Sequence, residues 1–351
     1  VTASNDPLAT EIATDANFDA QRYLLCCGDL ADPYRDGLDP WEHFDRHGRH
    51  EGRRQLAGGP AVAPADRTPG VTLCGIARNE GPYLLEWIAW HRLCGVERII
   101  LYSNESDDGS DALLARLGAL GVIDYRPWPG VEGRSSQIAA YQDAIVRCTT
   151  RWIAFLDLDE FLNLKQAATV GDFLAGLPAD TSAVGLNWRV FGSAGRLEKE
   201  AGLVTERFTR AAPLDYPSSR QIKTIAVAAD ICKVTAPRVR LMRGRGRGRY
   251  VDAAGAPLDP GRGFAPARHG HAQVNHYVLK SRAEFESKRA RGSALRAVGD
   301  PMKFTHRDGS YFDDHDRNEE ADETILAGNA RLHGEIAMLG RLLDMPETIG
   351  G

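Results

Sequence analysis

The chain has 351 residues, of which 43% are hydrophobic and 26% charged, with a formal net charge of −5. That length can bury one large core or two modest ones, and the balance is that of an ordinary globular protein. The mild acidity gives no overall pull toward nucleic acid or an anionic lipid surface, and no stretch approaches the roughly 20 apolar residues of a membrane helix.

The first residues, VTASNDPLAT, hold no basic region followed by an apolar one, so no signal peptide is expected there. A cytoplasmic protein, at most peripheral to the inner membrane, is the expectation. Residues 15–56 read as a small helical module, two short helices around a Pro/Gly turn. His43, His47 and His50 share one helical face, but no Cys or carboxylate at ligand spacing joins them, so a solvated basic face is expected. The six cysteines form no C-x-x-C pair and read as reduced thiols, with adjacent Cys26 and Cys27 serving packing. Residues 57–70, AGGPAVAPADRTPG, are rich in Pro, Gly and Ala and read as a linker. The expected domains are thus a module at 1–56, a main domain at 71–312 and a C-terminal helical extension at 313–351.

After the linker the pattern alternates regularly. Strands are expected at 71–77, 96–103, 122–128 and 151–157, with amphipathic helices at 80–94, 108–120 and 135–148 between them. Apolar runs separated by helices are the signature of an α/β protein with a mostly parallel, Rossmann-like sheet flanked by helices. Ligands of such sheets bind outside the carboxyl ends of the strands. Three polar clusters fall there: Arg78, Asn79 and Glu80; Asn104 to Asp108; and Asp157, Asp159 and Glu160.

The turn after the first strand, ARNEGP, has a single glycine, so it is no dinucleotide fingerprint. No P-loop and no G-x-S-x-G elbow is present. A nucleotide site built around a divalent metal remains. Two Asp at i and i+2 of a strand point the same way. One can reach a metal while the other reaches a ribose or the same metal, and hard cations take carboxylate and diphosphate oxygens.

Four stretches then carry a likeness: ARNEGPYLLEWIAWHRLCGVERIILYSNESDDGS, RWIAFLDLDEF, NWRVFGSAG and NHYVLKSRAEFESKRARG. Together they resemble glycosyltransferases of the GT-A fold, in the family-92-like and family-2-like group, over about residues 71–292. The resemblance implies a metal-dependent, inverting hexosyltransferase. It would move a sugar from a nucleotide-sugar donor, a UDP-sugar favoured over a GDP-sugar, to a glycan or lipid-linked acceptor, as in polysaccharide biosynthesis. It places Arg78, Asn79, Glu80 and Asn104 around the nucleotide. It makes Asp157 and Asp159 the metal pair, with His276 as a further ligand to Mn²⁺ or Mg²⁺, and Lys223 a cation on the diphosphate. Ser103 departs from the pattern, since relatives usually carry Asp just before that Asn, and this leaves the base identity open. Lys280 and Arg282 are expected to start a helix capped by Ser281.

Inversion needs a base for the acceptor hydroxyl. Glu206 and Asp215 lie in the right part of the chain, and Glu206 ranks first for its apolar flanks. The run RVRLMRGRGRGR at 238–249 reads as an exposed loop, with a lid or an acidic-ligand contact as the functional readings. The acidic stretch 313–320 is expected to start a helix over 321–343. Peripheral membrane association fits a lipid-linked acceptor; no nucleic-acid partner is expected. The alternative to an enzyme is a non-catalytic GT-A-like module that binds a nucleotide or glycan.

Overall fold

The computed structural model describes residues 7–35, 37–57, 66–236, 238–242, 248–259, 263–304 and 309–344. Most of the expected linker and the centre of the Arg-Gly run, residues 243–247, lie outside these. The N-terminal module contains strand β1 (Thr10–Ile12), helices α1 (Ala20–Cys26), α2 (Ala31–Arg35) and α3 (Pro40–His43), and strand β2 (Arg54–Leu56), which pairs antiparallel with β1. Asp19 caps α1 and Asp39 caps α3, each accepting a backbone N–H from the first turn. His47 and His50 are exposed, and all six cysteines are free thiols.

Strand β3 (Thr68–Ala77) begins three residues earlier than the linker expectation allowed. Helix α4 (Gly81–Leu93), β4 (Arg98–Ser103), α5 (Ser110–Ala119), β5 (Asp124–Pro127), α6 (Ser136–Arg147) and β6 (Thr150–Phe155) follow in the expected alternation. The chain continues as β7 (Glu160–Leu164), α7 (Val170–Ala175), β8 (Thr181–Val190), α8 (Val204–Arg207), β9 (Arg210–Ala211), β10 (Ile222–Val227), β11 (Ile231–Val234), β12 (Val239–Leu241), β13 (Arg249–Asp252) and β14 (Ala272–His276). It closes with α9 (Arg282–Arg291), α10 (Gly309–His315), β15 (Glu320–Ala321) and α11 (Asn329–Asp344).

The main sheet runs β5-β4-β3-β6-β10-β8-β14-β7, with β13 also on β8. β5, β4, β3 and β6 are parallel. β10 then enters antiparallel to both β6 and β8, and β14 pairs parallel with β8 and antiparallel with β7. The α/β architecture expected from the alternation is the one observed, with its parallel half in the first part of the chain. Side chains of one strand divide between the two faces. Ile99 and Leu101 of β4 join the core under α4 and α11, and Ile100 and Tyr102 join the core under α6. The N-terminal module docks on the second face: Gln21 Nε2 donates to the carbonyls of Ala228 and Ile231, both at 2.8 Å.

The C-terminal part corrects one expectation. Asp313 and Asp314 lie in the last turn of α10, not at a helix start, and α11 begins only at Asn329 after a short turn of 3₁₀ helix. The acidic stretch instead ties the chain back to the sheet. Asp316 Oδ1 accepts the Ser193 N–H at 2.6 Å, and Glu320 pairs with Arg189.

Candidate active site

The turn between β6 and β7 is fixed from α4. Trp87 Nε1 donates to the carbonyls of Asp157 (3.0 Å) and Glu160 (2.9 Å), and Trp90 Nε1 donates to Leu162 O (2.7 Å). The Leu162 N–H donates to His91 Nε2 at 3.2 Å. Gly75 of β3 leaves room for Trp87, because a Cβ there would meet its Cη2 at 3.3 Å and Leu101 Cδ2 at 3.0 Å. Packing of this largely buried helix therefore presents Asp157, Asp159 and Glu160 in one short turn at the carboxyl end of β6.

Each carboxylate of that turn has a cation. Asp157 Oδ2 takes Lys223 Nζ at 2.9 Å, and its Oδ1 accepts from Gln137 Nε2 at 2.7 Å and Tyr141 OH at 3.4 Å. The same Lys223 lies 3.0 Å from Glu160 Oε2. Asp159 Oδ2 accepts from Lys288 Nζ and stands 3.5 Å from His276 Nε2. Burial by itself raises both Asp carboxyls; the Lys223 ammonium overrides it at Asp157, and the Lys288 ammonium overrides it more strongly at Asp159, so both stay anionic. Burial wins at Glu160, pushed up to about 8, and at His276, pushed down to about 4. Glu160 Oε1 and His276 Nδ1 are buried with no hydrogen-bond partner.

These groups floor a cleft of about 610 Å³. Arg78, Glu80, Asp157, Asp159 and Lys223 all line it, as expected from the sequence. His276 stands behind Asp159, its ring 4.0 Å from that of Trp188 in the cleft wall. Asn79 and Asn104 do not line it. Asn79, at φ 52°, clasps Asp107 through both ends of its amide, and Asn104 Nδ2 donates to Trp128 O at 3.0 Å. Ser103 is buried and bonds to Asp111 and Ser106, joining the end of β4 to α5. The expected bases are elsewhere. Glu206 is exposed on α8, its Oε1 facing Asn329 Nδ2 (3.0 Å) and His333 Nε2 (2.7 Å). Asp215 is exposed in the turn before β10 and is not part of the cleft.

Several lining groups were not singled out by sequence reasoning: Gln137, Lys288, Arg291, Tyr311 and His315. Arg291 holds Glu80 and the Arg78 and Asn79 carbonyls. A signal for two of them was present, since Glu284, Lys288 and Arg291 follow i, i+4, i+7 spacing behind the Ser281 cap and so share a helix face.

Residues 70–207 match the family model of glycosyltransferase family 92, which bears out the resemblance drawn from the motifs. A glycosyltransferase family 92 protein of Ricinus communis is 33% identical over 101 residues, 28% of this chain and 18% of the relative. One from Oryza sativa subsp. japonica is 34% identical over 106 residues, 29% of this chain and 18% of the relative. The chain thus matches under a fifth of the length of these curated relatives. Among solved structures, S. aureus TarS (residues 1–349) aligns with a TM-score of 0.31 and 11% identity, over 46% of this chain and 47% of that one.

Proposed function

We propose that the chain is a glycosyltransferase that moves a sugar, with inversion, from a nucleoside-diphosphate donor to a glycan or lipid-linked acceptor. The observation that carries this reading is the pair Asp157 and Asp159, held anionic on the floor of a cleft that also presents Arg78, Lys223, Lys288 and Arg291. A diphosphate is a multivalent anion, and four cationic side chains around one cavity suit its charge and its multiple acceptor oxygens. UDP is favoured over GDP, following the resemblance.

The donor set fits a divalent cation. Two carboxylates remain charged beside a neutral imidazole whose Nδ1 is unpartnered, a mixture that suits Mn²⁺ and, for the carboxylates, Mg²⁺. Asp157, Asp159 and His276 would hold it. Among the described residues no group of three or more His, Cys, Asp or Glu is arranged to hold an ion unaided, and hard cations commonly complete their shell with substrate phosphates. The ion, when bound, supplies charge neutralisation to the departing diphosphate. The chain's own part is to bind and orient: Lys223 fixes the Asp157 carboxylate, Lys288 and Arg291 face the phosphates, and Arg78 with Glu80 forms the wall toward the nucleoside.

Thermal denaturation with UDP, GDP and CDP, each with and without Mn²⁺, tests the reading. UDP with Mn²⁺ is expected to raise apparent stability by about 2.7 kcal/mol at 100-fold excess over Kd, and Asp159→Asn to abolish that gain. No shift with any nucleotide, with or without metal, would overturn it.

A further inference from the structure

The strands under the cleft put its residues in a fixed order. Across the sheet β3 is followed by β6, β10, β8 and β14. Arg78 and Glu80 follow β3, Asp157 and Asp159 follow β6, Lys223 belongs to β10, and Trp188 belongs to β8. β3 and β8 are three strand spacings apart, about 14 Å, so Arg78 and Trp188 stand on opposite sides of the carboxylate turn.

Pairing brings a second set of side chains together on one face. The Trp188 backbone N–H donates to the Gln221 carbonyl at 2.9 Å. The register, Ile222 opposite Asn187 and Lys223 opposite Leu186, continues to Gln221 opposite Trp188. Opposed residues of an antiparallel pair share a face, with Cβ atoms about 4.5–5.5 Å apart. Lys223, two residues on from Gln221, points the same way and holds Asp157 at 2.9 Å. On its other side the Trp188 ring lies 4.0 Å from that of His276, whose Nε2 is 3.5 Å from Asp159 Oδ2. Trp188 and Gln221 therefore adjoin the Asp157–Asp159 turn, one through His276 and the other through Lys223.

Both residues line the cleft, with Ser218 beside them. Among the described residues the Gln221 side-chain amide and the Ser218 hydroxyl have no hydrogen-bond partner. No hydrogen bond pins the indole either: its Nε1–H is buried and unpartnered, and the ring is seated by its contact with His276. A sugar ring has an apolar face for an indole to pack on and hydroxyls that an amide and a hydroxyl can bond. None of these three side chains carries a charge, so an anionic sugar buried against them would lose solvation without gaining a partner.

We propose that Trp188 and Gln221 seat the sugar that is transferred, and that this sugar is a neutral hexose or N-acetylhexosamine; the inference rests on the glycosyltransferase reading above. A nucleotide sugar is a linear chain of nucleoside, diphosphate and sugar. With the nucleoside toward Arg78 and the diphosphate over Asp157 and Asp159, the sugar falls at Trp188. The indole packs on its ring, and Gln221 and Ser218 bond its hydroxyls. These residues select the sugar, while the cationic side chains hold the diphosphate.

Calorimetric titration of the full chain with Mn²⁺ tests this without any acceptor. UDP-glucose, UDP-galactose, UDP-N-acetylglucosamine, UDP-glucuronate and GDP-mannose are each measured beside their free nucleotide. The proteins are wild type, Trp188→Leu, Trp188→Phe and Gln221→Ala. The expected result is that Trp188→Leu and Gln221→Ala bind the free nucleotide as wild type does. Their ratio of nucleotide-sugar Kd to nucleotide Kd should rise about 10-fold for the neutral sugar that wild type binds best, with Trp188→Phe in between. Gln221 does not touch His276, so its variant keeps the test valid if Trp188→Leu disturbs the fold. Ratios that match wild type for every sugar, or equal losses for nucleotide and nucleotide sugar, overturn the seat and leave the transferase reading standing. UDP-glucuronate bound by wild type as tightly as the best neutral sugar overturns the sugar class. A wild type that binds neither free UDP nor free GDP overturns the donor reading itself.

Discussion

Lys223 shows how much one side chain holds in this site. Its side chain is 3% exposed and lies between Asp157 and Glu160. Burial alone would lower its affinity for a proton; the two acids more than restore it. Removing one member of a buried charge cluster strands the others, which costs more than the cluster itself contributes. Lys223→Met is therefore expected to lose about 3–5 kcal/mol in urea denaturation, and Lys223→Met with Asp157→Asn to lose less than Lys223→Met alone. A Lys223→Met protein as stable as wild type would sink this account. The carboxylate half of the site was legible in the sequence, because Asp157 and Asp159 interrupt an apolar run. The cationic half was legible only in part, through Arg78 and Lys223. Lys288 and Arg291 reach the cleft from a helix more than a hundred residues further along, and only tertiary packing brings them to Asp159 and Glu80. Glu206 lies away from the cleft for the same reason: apolar flanks said that it was near a core, and the structure turns its carboxylate outward toward α11.

Helix α9 carries Lys288 and Arg291, and its start is over-determined. Ser281 and Glu284 form a reciprocal cap, Arg207 of α8 grips both Glu284 oxygens at 2.9 Å, and Tyr83 OH donates to the same carboxylate at 2.7 Å. Burial pushes the Glu284 carboxyl up, and the hydrogen bonds from Arg207, Ser281 and Tyr83 outweigh it, bringing it from its ordinary 4.5 to about 2. A depressed carboxyl binds fewer protons folded than unfolded, so its contribution is complete above about pH 4.5 and fades as pH falls toward 2. Glu284→Gln is expected to cost about 2–3 kcal/mol near neutral pH, and the gap to wild type should narrow in denaturation at about pH 3. A gap of the same size at both pH values would show that the cap acts through packing alone. Elements like this one were readable: the Ser281 start, the α4, α5 and α6 periodicities and the strands between them all appear near their expected places. The second half of the sheet was less so, because β10, β8, β14 and β7 take their direction and neighbours from pairing between distant segments. Local pattern marks a strand and says nothing of its partner.

Across the whole molecule the C-terminal segment works as a strap that joins the cleft wall to the back of the sheet. It supplies Tyr311 and His315 to the cleft and fastens to the loop after β8 through Asp316 and Asn318. It then adds β15 to β9 and lays α11 along α4 with Leu332 and Leu339 buried. Between these attachments lies a buried polar knot. Asp322 Oδ2 meets Arg189 Nε at 3.3 Å and Gln273 Nε2 at 2.9 Å, its Oδ1 takes the Thr324 hydroxyl at 2.6 Å, and Lys165 stands 3.8 Å away. Arg189 has a second carboxylate in Glu320, at 2.8 Å, but that side chain is 42% exposed whereas Asp322 is 7% exposed. The two partners of one arginine thus separate burial from charge. Glu320→Ala removes a solvated partner and is expected to cost no more than about 1 kcal/mol. Asp322→Ala leaves Arg189 and Gln273 short of a partner inside the protein and is expected to cost about 3–5 kcal/mol, read as a lower urea midpoint at unchanged slope. If the two variants lose the same small amount, the knot is incidental, and the strap is held by the apolar contact of α11 on α4.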